Sequence, residues 1–172
     1  RLKTKYNTCF KAQSVKAWTD QGCDNYSKHK KELGQLLDDQ LRDYKVKLDE
    51  LERKRLDLIQ KTNNRFAPCL SLGDLQSWNE SKEKCNDFES FEKNLDKDFF
   101  KQLQQYKKKL SETFEKERTE LSKILHKMMD DIELCLDTKN TKIWGEKACS
   151  NIKAGQIADL TTKAIKLGII TK

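Results

Sequence analysis

Six cysteines are the residues of this chain whose type and spacing could do chemistry: Cys9, Cys23, Cys69, Cys85, Cys135 and Cys149. No two of them form the C-x2-C spacing that is typical of zinc sites and redox centres. Three matched pairs instead indicate disulfide bonds, which persist in secreted proteins, and we therefore expect the chain to be secreted and extracellular. The alternative is a cytosolic protein with three buried pairs of free thiols.

Each pair of cysteines encloses one tryptophan at a fixed distance from the first cysteine. Trp18, Trp78 and Trp144 each follow a cysteine by nine residues, and a second cysteine follows five or seven residues later. These copies contain every cysteine and tryptophan of the chain, and they recur at similar intervals along it. We interpret them as a repeated C-x8-W-x4–6-C unit and call the segments corner 1 (residues 9–23), corner 2 (69–85) and corner 3 (135–149).

The repeat also predicts how the cysteines pair. If every corner folds alike, the bonds are Cys9–Cys23, Cys69–Cys85 and Cys135–Cys149. Closing loops of this length stabilises a protein by about 3 kcal/mol each. A tryptophan inside such a loop is expected to fill a miniature core rather than to anchor an interface with a partner.

Helices are the elements that must position these corners. The chain has 172 residues, of which 37% are charged and 35% hydrophobic, with six glycines and one proline. So few breakers and so little apolar material argue against a β-sandwich, a barrel or a large spherical core. We predict an all-α fold of long amphipathic helices, each buried along one narrow face, in a single domain covering residues 1–172.

Two long helices are predicted between the corners. The first runs from Asp24 to about Arg65, with Gly34 as its one weak position, and Asn63, Asn64 and Pro68 stop it. Its apolar stripe has a coiled-coil-like period near 3.5 and consists of Leu37, Leu41, Tyr44, Leu48, Leu51 and Leu58. The second starts near Asn86 or Asp87, either of which could cap it. Its stripe consists of Phe88, Phe91, Leu95, Phe99, Leu103, Tyr106, Leu110, Phe114, Leu121, Ile124 and Met128.

The corners should reverse the direction of the chain. The long helices are then antiparallel and form an elongated assembly, with short corner helices around each tryptophan. A final helix from about Ile152 to Ile170 should pack back against them. The opening residues RLKTKYNTC are polar and contain no signal peptide. We therefore expect the chain to be the carboxy-terminal part of a longer secreted protein.

Catalysis has no positive support in the sequence. His29 and His126 are predicted to be solvated residues of the two long helices, without a nucleophile or carboxylate constellation beside them. Acidic pairs such as Asp38-Asp39 and Asp130-Asp131 are interpreted as solvated helix faces. No glycine-rich phosphate loop and no histidine-rich metal spacing occurs in the sequence. We expect neither an enzyme nor a cofactor or metal site.

The net charge of +7 suggests polyanionic partners. The basic clusters are Lys107-Lys108-Lys109, Arg53-Lys54-Arg55 and Lys28-Lys30-Lys31. Because acidic residues alternate with them, nucleic acid is not expected and only moderate attraction to polyanions remains. No run of 18 apolar residues occurs, so no membrane span is predicted. Asn25-Tyr-Ser and Asn79-Glu-Ser match the N-glycosylation pattern.

A Lys- and Glu-rich helical chain with six paired cysteines and repeated Cys…Trp…Cys corners resembles the carboxy-terminal domain of the mosquito salivary aegyptin and anopheline anti-platelet protein family. Members carry an acidic, Gly-rich amino-terminal half that this chain lacks. The resemblance implies a secreted collagen-binding protein that blocks platelet adhesion and aggregation, and we expect the chain to be a monomer. It would mask the sites on collagen used by platelet receptors and by von Willebrand factor. It supplies no collagen-binding residues for this chain.

Two other functions remain open. One is a secreted helical scaffold or a module that binds heparin-like polyanions. The other is a carrier resembling the odorant-binding-like salivary fold, which sequesters small amines or lipids. That fold has shorter helices and a C-x3-C spacing that does not occur here. A carrier also needs an enclosed apolar pocket, and we expect narrow helix seams to leave none.

Overall fold

The computed structural model describes residues 1–137 and 154–169. Every regular element within these two ranges is helical, and neither range contains a β-strand. The predicted all-α class is therefore confirmed. The α-helices are α1 (Leu2–Asn7), α2 (Val15–Asp20), α3 (Gln35–Phe66), α4 (Leu75–Glu80), α5 (Lys97–Asp137) and α6 (Ala154–Lys166), and the 3-10 helices are Thr8–Lys11, Cys23–His29, Ala67–Ser71 and Cys85–Asn94.

The same order of elements occurs twice along the chain. A 3-10 helix, a short α-helix, a second 3-10 helix and a long α-helix follow one another from Thr8 to Phe66 and again from Ala67 to Asp137. Each of these 3-10 helices contains one cysteine, and the short α-helix between them contains one tryptophan. The repeat that was visible in the cysteines and tryptophans is therefore a repeat of backbone structure.

The short helices α2 and α4 begin at equivalent polar residues. Ser14 and Asp74 are both in extended backbone conformation, and their side chains accept hydrogen bonds from the backbone N–H groups of Ala17 and Ser77, respectively. Such N-caps satisfy backbone donors that have no partner inside the helix. Both helices are therefore capped four residues before the tryptophan, which confirms the predicted corner helices in corners 1 and 2.

The long helices start later than predicted. A continuous helix from Asp24 was wrong, because Cys23–His29 is a 3-10 helix and α3 begins only after Gly34, its N-cap residue. The predicted start of the second long helix near Asn86 or Asp87 was also wrong, because Cys85–Asn94 is a 3-10 helix. The side chain of Asp96 accepts hydrogen bonds from the N–H groups of Asp98 and Phe99, so that α5 begins at Lys97. Apolar residues three apart fit a 3-10 helix as well as an α-helix, so the periodicity could not distinguish them.

The predicted final helix ends earlier than expected, and its predicted start at Ile152 lies outside the described residues. It was placed from Ile152 to Ile170, but α6 covers Ala154–Lys166. Gly168 follows in a left-handed conformation with φ +67°, and the N–H of Ile169 bonds back to the carbonyl of Ala164. This glycine closes the helix in the way that is common at helix carboxyl ends.

By its internal contacts the chain divides into two compact units. Unit 1 comprises Arg1–Pro68 and Asp87–Phe100, and unit 2 comprises Cys69–Asn86 and Lys101–Lys172. The predicted antiparallel arrangement of the long helices and the elongated form stay predictions.

Corner 1 forms the centre of the main core of unit 1. Buried side chains from α1, the corner, the segment just before α3 and the first half of α3 make one cluster: Tyr6, Cys9, Ala12, Trp18, Cys23, Leu33, Leu37, Leu41 and Leu48. The stripe predicted on α3 is thus the face that packs against the corner, as far as Leu48.

Beyond Leu48 the predicted seam of α3 is exposed. Leu51 is 62% exposed and Leu58 is 48% exposed, so a seam continuous to Leu58 was wrong. The reason is that corner 1 covers only about three turns of the helix from Leu37. Ion pairs within α3 support the exposed stretch instead: Glu50–Lys54, Glu52–Arg55 and Asp57–Lys61.

In unit 2 the helix α6 packs against α5. Leu121, Leu125 and Ala164 are buried together there, and Met128, Leu160, Leu167 and Ile169 surround them. The guanidinium of Arg118 on α5 also donates a hydrogen bond of 3.5 Å to the carbonyl of Gly168. These contacts fix the carboxyl end of α6 beside the middle of α5.

Candidate functional site: the disulfide-closed corners and a cavity

The first two disulfides join the cysteines that the repeat predicted. Cys9 is bonded to Cys23 and Cys69 to Cys85, with a Cα–Cα distance of 5.9 Å in each pair. All four cysteines are fully buried. The predicted bond from Cys135, in α5, to Cys149 lies outside the described residues, as does the third tryptophan, Trp144.

The tryptophans of corners 1 and 2 are buried and have polar partners. Trp18 and Trp78 are fully buried. The indole N–H of Trp18 donates to Asp24 Oδ1 at 3.3 Å, and that of Trp78 donates to Asn86 Oδ1 at 2.9 Å. A buried indole with its N–H satisfied fills a core. Neither side chain is available as an exposed anchor for a partner.

A tyrosine from the following long helix closes corner 1, and an equivalent tyrosine closes corner 2. The Tyr44 hydroxyl donates to the carbonyl of Ala12, and the Tyr106 hydroxyl donates to the carbonyl of Leu72. The tyrosine rings also lie beside the tryptophans, with centroid distances of 5.6 Å for Trp18–Tyr44 and 6.2 Å for Trp78–Tyr106. Corner 1 and corner 2 are therefore each held by a disulfide, an indole hydrogen bond and a tyrosine hydrogen bond.

The acceptor of the indole N–H differs in charge between the two corners. Asp24 also accepts hydrogen bonds from Lys45 and Thr19. The hydrogen bond from Lys45 is the main cause that lowers the pKa of Asp24, and in turn Asp24 raises the pKa of Lys45. In corner 2 the neutral Asn86 accepts from Trp78 and donates to Asn79 Oδ1 at 2.7 Å. The role suggested for Asn86 as a helix cap was therefore wrong.

Sequence reasoning did not find these closing residues, although their spacing is regular. The indole acceptors Asp24 and Asn86 directly follow the second cysteine of their corner. Tyr44 and Tyr106 also stand at identical distances after that cysteine. Comparing the long helices with each other, as well as the corners, would have revealed both positions.

The two histidines do not form a catalytic arrangement. His29 ends a 3-10 helix instead of lying in a long helix, and its ring is half-buried at 5.9 Å from that of Tyr6. His126 is exposed on α5, where its Nδ1 lies 2.7 Å from the carbonyl oxygen of Ser122. Asp38 is 2% exposed, so the expectation that this carboxylate is solvated was wrong. In the described part of the chain, no three His, Cys, Asp or Glu side chains gather as a metal site requires.

Both glycosylation patterns lie at the surface. Asn25 and Asn79 are exposed. Asn25 belongs to the 3-10 helix Cys23–His29, and Asn79 belongs to α4. Glycosylation at either position stays a prediction.

Unit 2 contains a cavity of about 470 Å³ between corner 2, α5 and α6. One wall is the loop around Gly73 and Asp74, which the hydrogen bond from Tyr106 to Leu72 holds against α5. The opposite wall is the carboxyl end of α6. The cavity forms because corner 2 and α6 both project beside the same face of α5, and it is open to solvent rather than the enclosed apolar pocket that a carrier needs. Its volume is within the range of about 300–1,000 Å³ that is typical of small-molecule sites.

Comparison of the chain with protein-family models, curated proteins and solved structures finds no match. Among the described helices, none combines the length and the apolar character that crossing a membrane requires. The residues themselves must therefore support any functional conclusion.

Proposed function

We propose that this chain is a secreted, non-enzymatic protein that binds collagen and covers the sites used by platelet receptors and by von Willebrand factor. The resemblance stated above supplies the partner. The all-α fold and the disulfide-closed corners agree with that resemblance.

The exposed stretch of α3 is the observation that carries the proposal. Val46, Leu51, Leu56 and Leu58 are 56%, 62%, 52% and 48% exposed, respectively. They extend over about 18 Å of helix at 1.5 Å per residue. Ion-paired side chains of both signs surround them. Scattered leucines on a monomeric surface are common, but Leu51 and Leu58 are seven residues apart and therefore lie on the same face of α3, about two turns from each other. Such a pair along one helix face suits an elongated partner.

A collagen triple helix is such a partner. Its glycines lie at the crowded axis, so the other side chains of each triplet and the backbone carbonyl groups are exposed along a straight rod. Leucines on α3 can contact apolar side chains of this rod, and the lysines and glutamates between them can contact charged ones. Binding along a helix would mask receptor sites sterically, without a catalytic step.

The test is solid-phase binding to fibrillar collagen, with heparin and a non-collagen matrix protein as control surfaces. Replacing Leu51→Ser and Leu58→Ser together should weaken collagen binding about tenfold, which corresponds to about 1.4 kcal/mol. Met129→Ser, which changes a side chain that is 64% exposed on α5, is the matched control and should bind normally. No binding of the unchanged chain to collagen would refute the function. If the double variant bound collagen normally, this face of α3 would not be part of the interface.

The interface should be distributed rather than concentrated in one residue. Single alanine replacements of Lys54 or Glu50 should each weaken binding by less than about fivefold, because exposed ion pairs contribute about 1 kcal/mol or less. Higher salt should weaken binding without abolishing it. A single exposed residue whose replacement abolished binding in a folded variant would contradict a distributed interface.

A polyanion-binding module is the second candidate. Lys28, Lys30 and Lys31 line one surface depression at the end of the Cys23–His29 segment, together with Ser27 and Glu32. Three lysines around one depression favour sulfated or phosphorylated chains. This function would be favoured over the first if the chain bound heparin but not collagen. Replacing the three lysines should then abolish heparin binding.

A further inference from the structure

The cavity between corner 2, α5 and α6 has two rims of opposite charge. Glu117 and Glu120 on α5 line one side, and Lys163 and Lys166 on α6 line the other. All four side chains are exposed. In this described part of unit 2, no ion pair joins the two rims. The carboxylates and ammonium groups therefore leave room for the charges of a ligand between them.

The cavity has an apolar floor. Leu110 and Leu121 on α5 are buried beneath it, and Phe114 lies half-buried between them. Leu75 from corner 2 and Leu167 from the end of α6 close its sides. This surface can contact the apolar body of a ligand whose polar groups stay at the rims.

Asp74 also lines the cavity, but it is already engaged. Its carboxylate accepts hydrogen bonds from the N–H and the hydroxyl of Ser77 at 2.8 and 3.0 Å. These hydrogen bonds are the main cause that lowers the pKa of Asp74, and Lys166 adds to the effect. Asp74 therefore holds the corner 2 wall as the N-cap of α4, and Glu117 and Glu120 are the carboxylates available to a ligand.

We infer that this cavity binds a small zwitterionic amphiphile, a molecule that carries one positive and one negative group on an apolar body. The positive group would lie beside Glu117 and Glu120, and the negative group beside Lys163 and Lys166. A ligand with a single charge gains attraction at one rim and meets repulsion from the other, whereas a zwitterion gains attraction at both rims. This function is independent of collagen binding, because the exposed leucines of α3 belong to unit 1.

Three probes with the same alkyl chain test the charge requirement. Isothermal titration of the full chain with monomeric octylphosphocholine, octylammonium and octanoate should give a dissociation constant about tenfold lower for the zwitterion than for either singly charged probe. Equal affinities would reduce the site to a nonspecific apolar surface and overturn the inference. Binding of one singly charged probe alone, or of none of the three, would overturn it as well.

Charge-reversal variants test the two rims separately. The pair Glu117→Lys and Glu120→Lys should lose binding of octylphosphocholine and gain binding of octanoate. The pair Lys163→Glu and Lys166→Glu should gain binding of octylammonium instead. Asp130→Lys with Glu133→Lys is the matched control, because these acidic residues lie three apart on the same helix but do not line the cavity. Because all these positions are on or near the surface, circular dichroism should show an unchanged helix content.

A vesicle experiment distinguishes a free ligand from a lipid surface. The chain should bind monomeric octylphosphocholine but should not sediment with phosphatidylcholine vesicles. Sedimentation with vesicles without binding of the monomer would show a membrane surface as the partner and overturn the inference. If the control pair changed the probe affinities as much as the rim pairs did, the cavity would not be the binding site.

Discussion

The hydroxyl of Tyr44 donates a hydrogen bond to the backbone carbonyl of Ala12, which is 32 residues earlier in the chain. Tyr106 makes the equivalent bond to Leu72 across 34 residues. In each case the carbonyl belongs to the residue three positions after the first cysteine of a corner. A side chain on the long helix therefore fixes the end of the 3-10 helix that contains this cysteine.

Removing either hydroxyl should destabilise the chain. Tyr44→Phe and Tyr106→Phe should each lower the free energy of unfolding by about 1 to 2 kcal/mol, because a carbonyl loses its partner while the ring stays in place. Urea unfolding followed by circular dichroism measures the change. A variant as stable as the unchanged chain would show that water replaces the hydroxyl without loss.

Tyr6 should behave in the opposite way. It is fully buried, and its hydroxyl has no hydrogen-bond partner in the structure. Burial alone raises the pKa of Tyr6. The second repeat has Phe66 at the equivalent position, three residues before the first cysteine. Tyr6→Phe should therefore leave the free energy of unfolding unchanged or raise it by about 1 kcal/mol. A loss comparable with that of Tyr44→Phe would reveal a partner for this hydroxyl.

The residue before the second cysteine has a left-handed backbone in corners 1 and 2. Gly22 has φ +69° and Lys84 has φ +52°. Lys84→Gly should stabilise the chain by about 1 kcal/mol, because glycine adopts this conformation without steric cost. Gly22→Ala should destabilise it, and the added Cβ would lie 3.4 Å from the Asn25 side chain. Thermal unfolding of both variants measures the difference. If both replacements moved the unfolding temperature in the same direction, backbone conformation would not be the main cause of the stability changes at these positions.

Acid should affect the two corners differently. The hydrogen bond from Lys45 lowers the pKa of Asp24 in the folded chain. The stability that this hydrogen bond contributes is fully present above the ordinary aspartate pKa of about 3.9. It is lost as the pH falls through the lower pKa that Asp24 has in the folded chain. The indole N–H resonance of Trp18 should titrate with a midpoint below that ordinary value, while the resonance of Trp78, bonded to the neutral Asn86, should not move. Asp24→Asn should abolish the titration. A midpoint at the ordinary value would contradict the effect of Lys45.

The third corner should be closed like the first two. Peptide mapping without reduction should recover Cys135 linked to Cys149, besides the two bonds already described. A fragment that linked corner 3 to another corner would end the interpretation of the segment as a third copy of the repeat.

The corners could be predicted from the sequence because they depend on local spacing. Cysteines and a tryptophan at fixed distances identified both disulfides and the short helices around Trp18 and Trp78. The apolar stripe also identified the buried face of α3 as far as Leu48. These features arise within a few turns of the chain, where periodicity and helix capping decide the structure.

The remaining features depend on packing between distant segments. A 3-10 helix before Gly34 or Asp96 has the same apolar spacing as an α-helix, so only the three-dimensional structure shows the break. The exposure of Leu51 depends on where corner 1 ends in space. The cavity depends on α6, which packs beside Leu121 although it begins well beyond the end of α5 in the sequence. Local sequence patterns therefore cannot predict the contact between α5 and α6.

The segments that contain the two long helices differ in length by about one helical turn. The segment from Asp96, which precedes α5, to Cys135 is four residues longer than the equivalent segment from Gly34, which precedes α3, to Cys69. Four extra residues make about one helical turn, which moves the end of a helix by about 6 Å and rotates it by only about 40°. A change of one or two residues would instead turn the next corner away from its original face. Lengthening or shortening these helices therefore disturbs the packing of the corners least when it proceeds by whole helical turns.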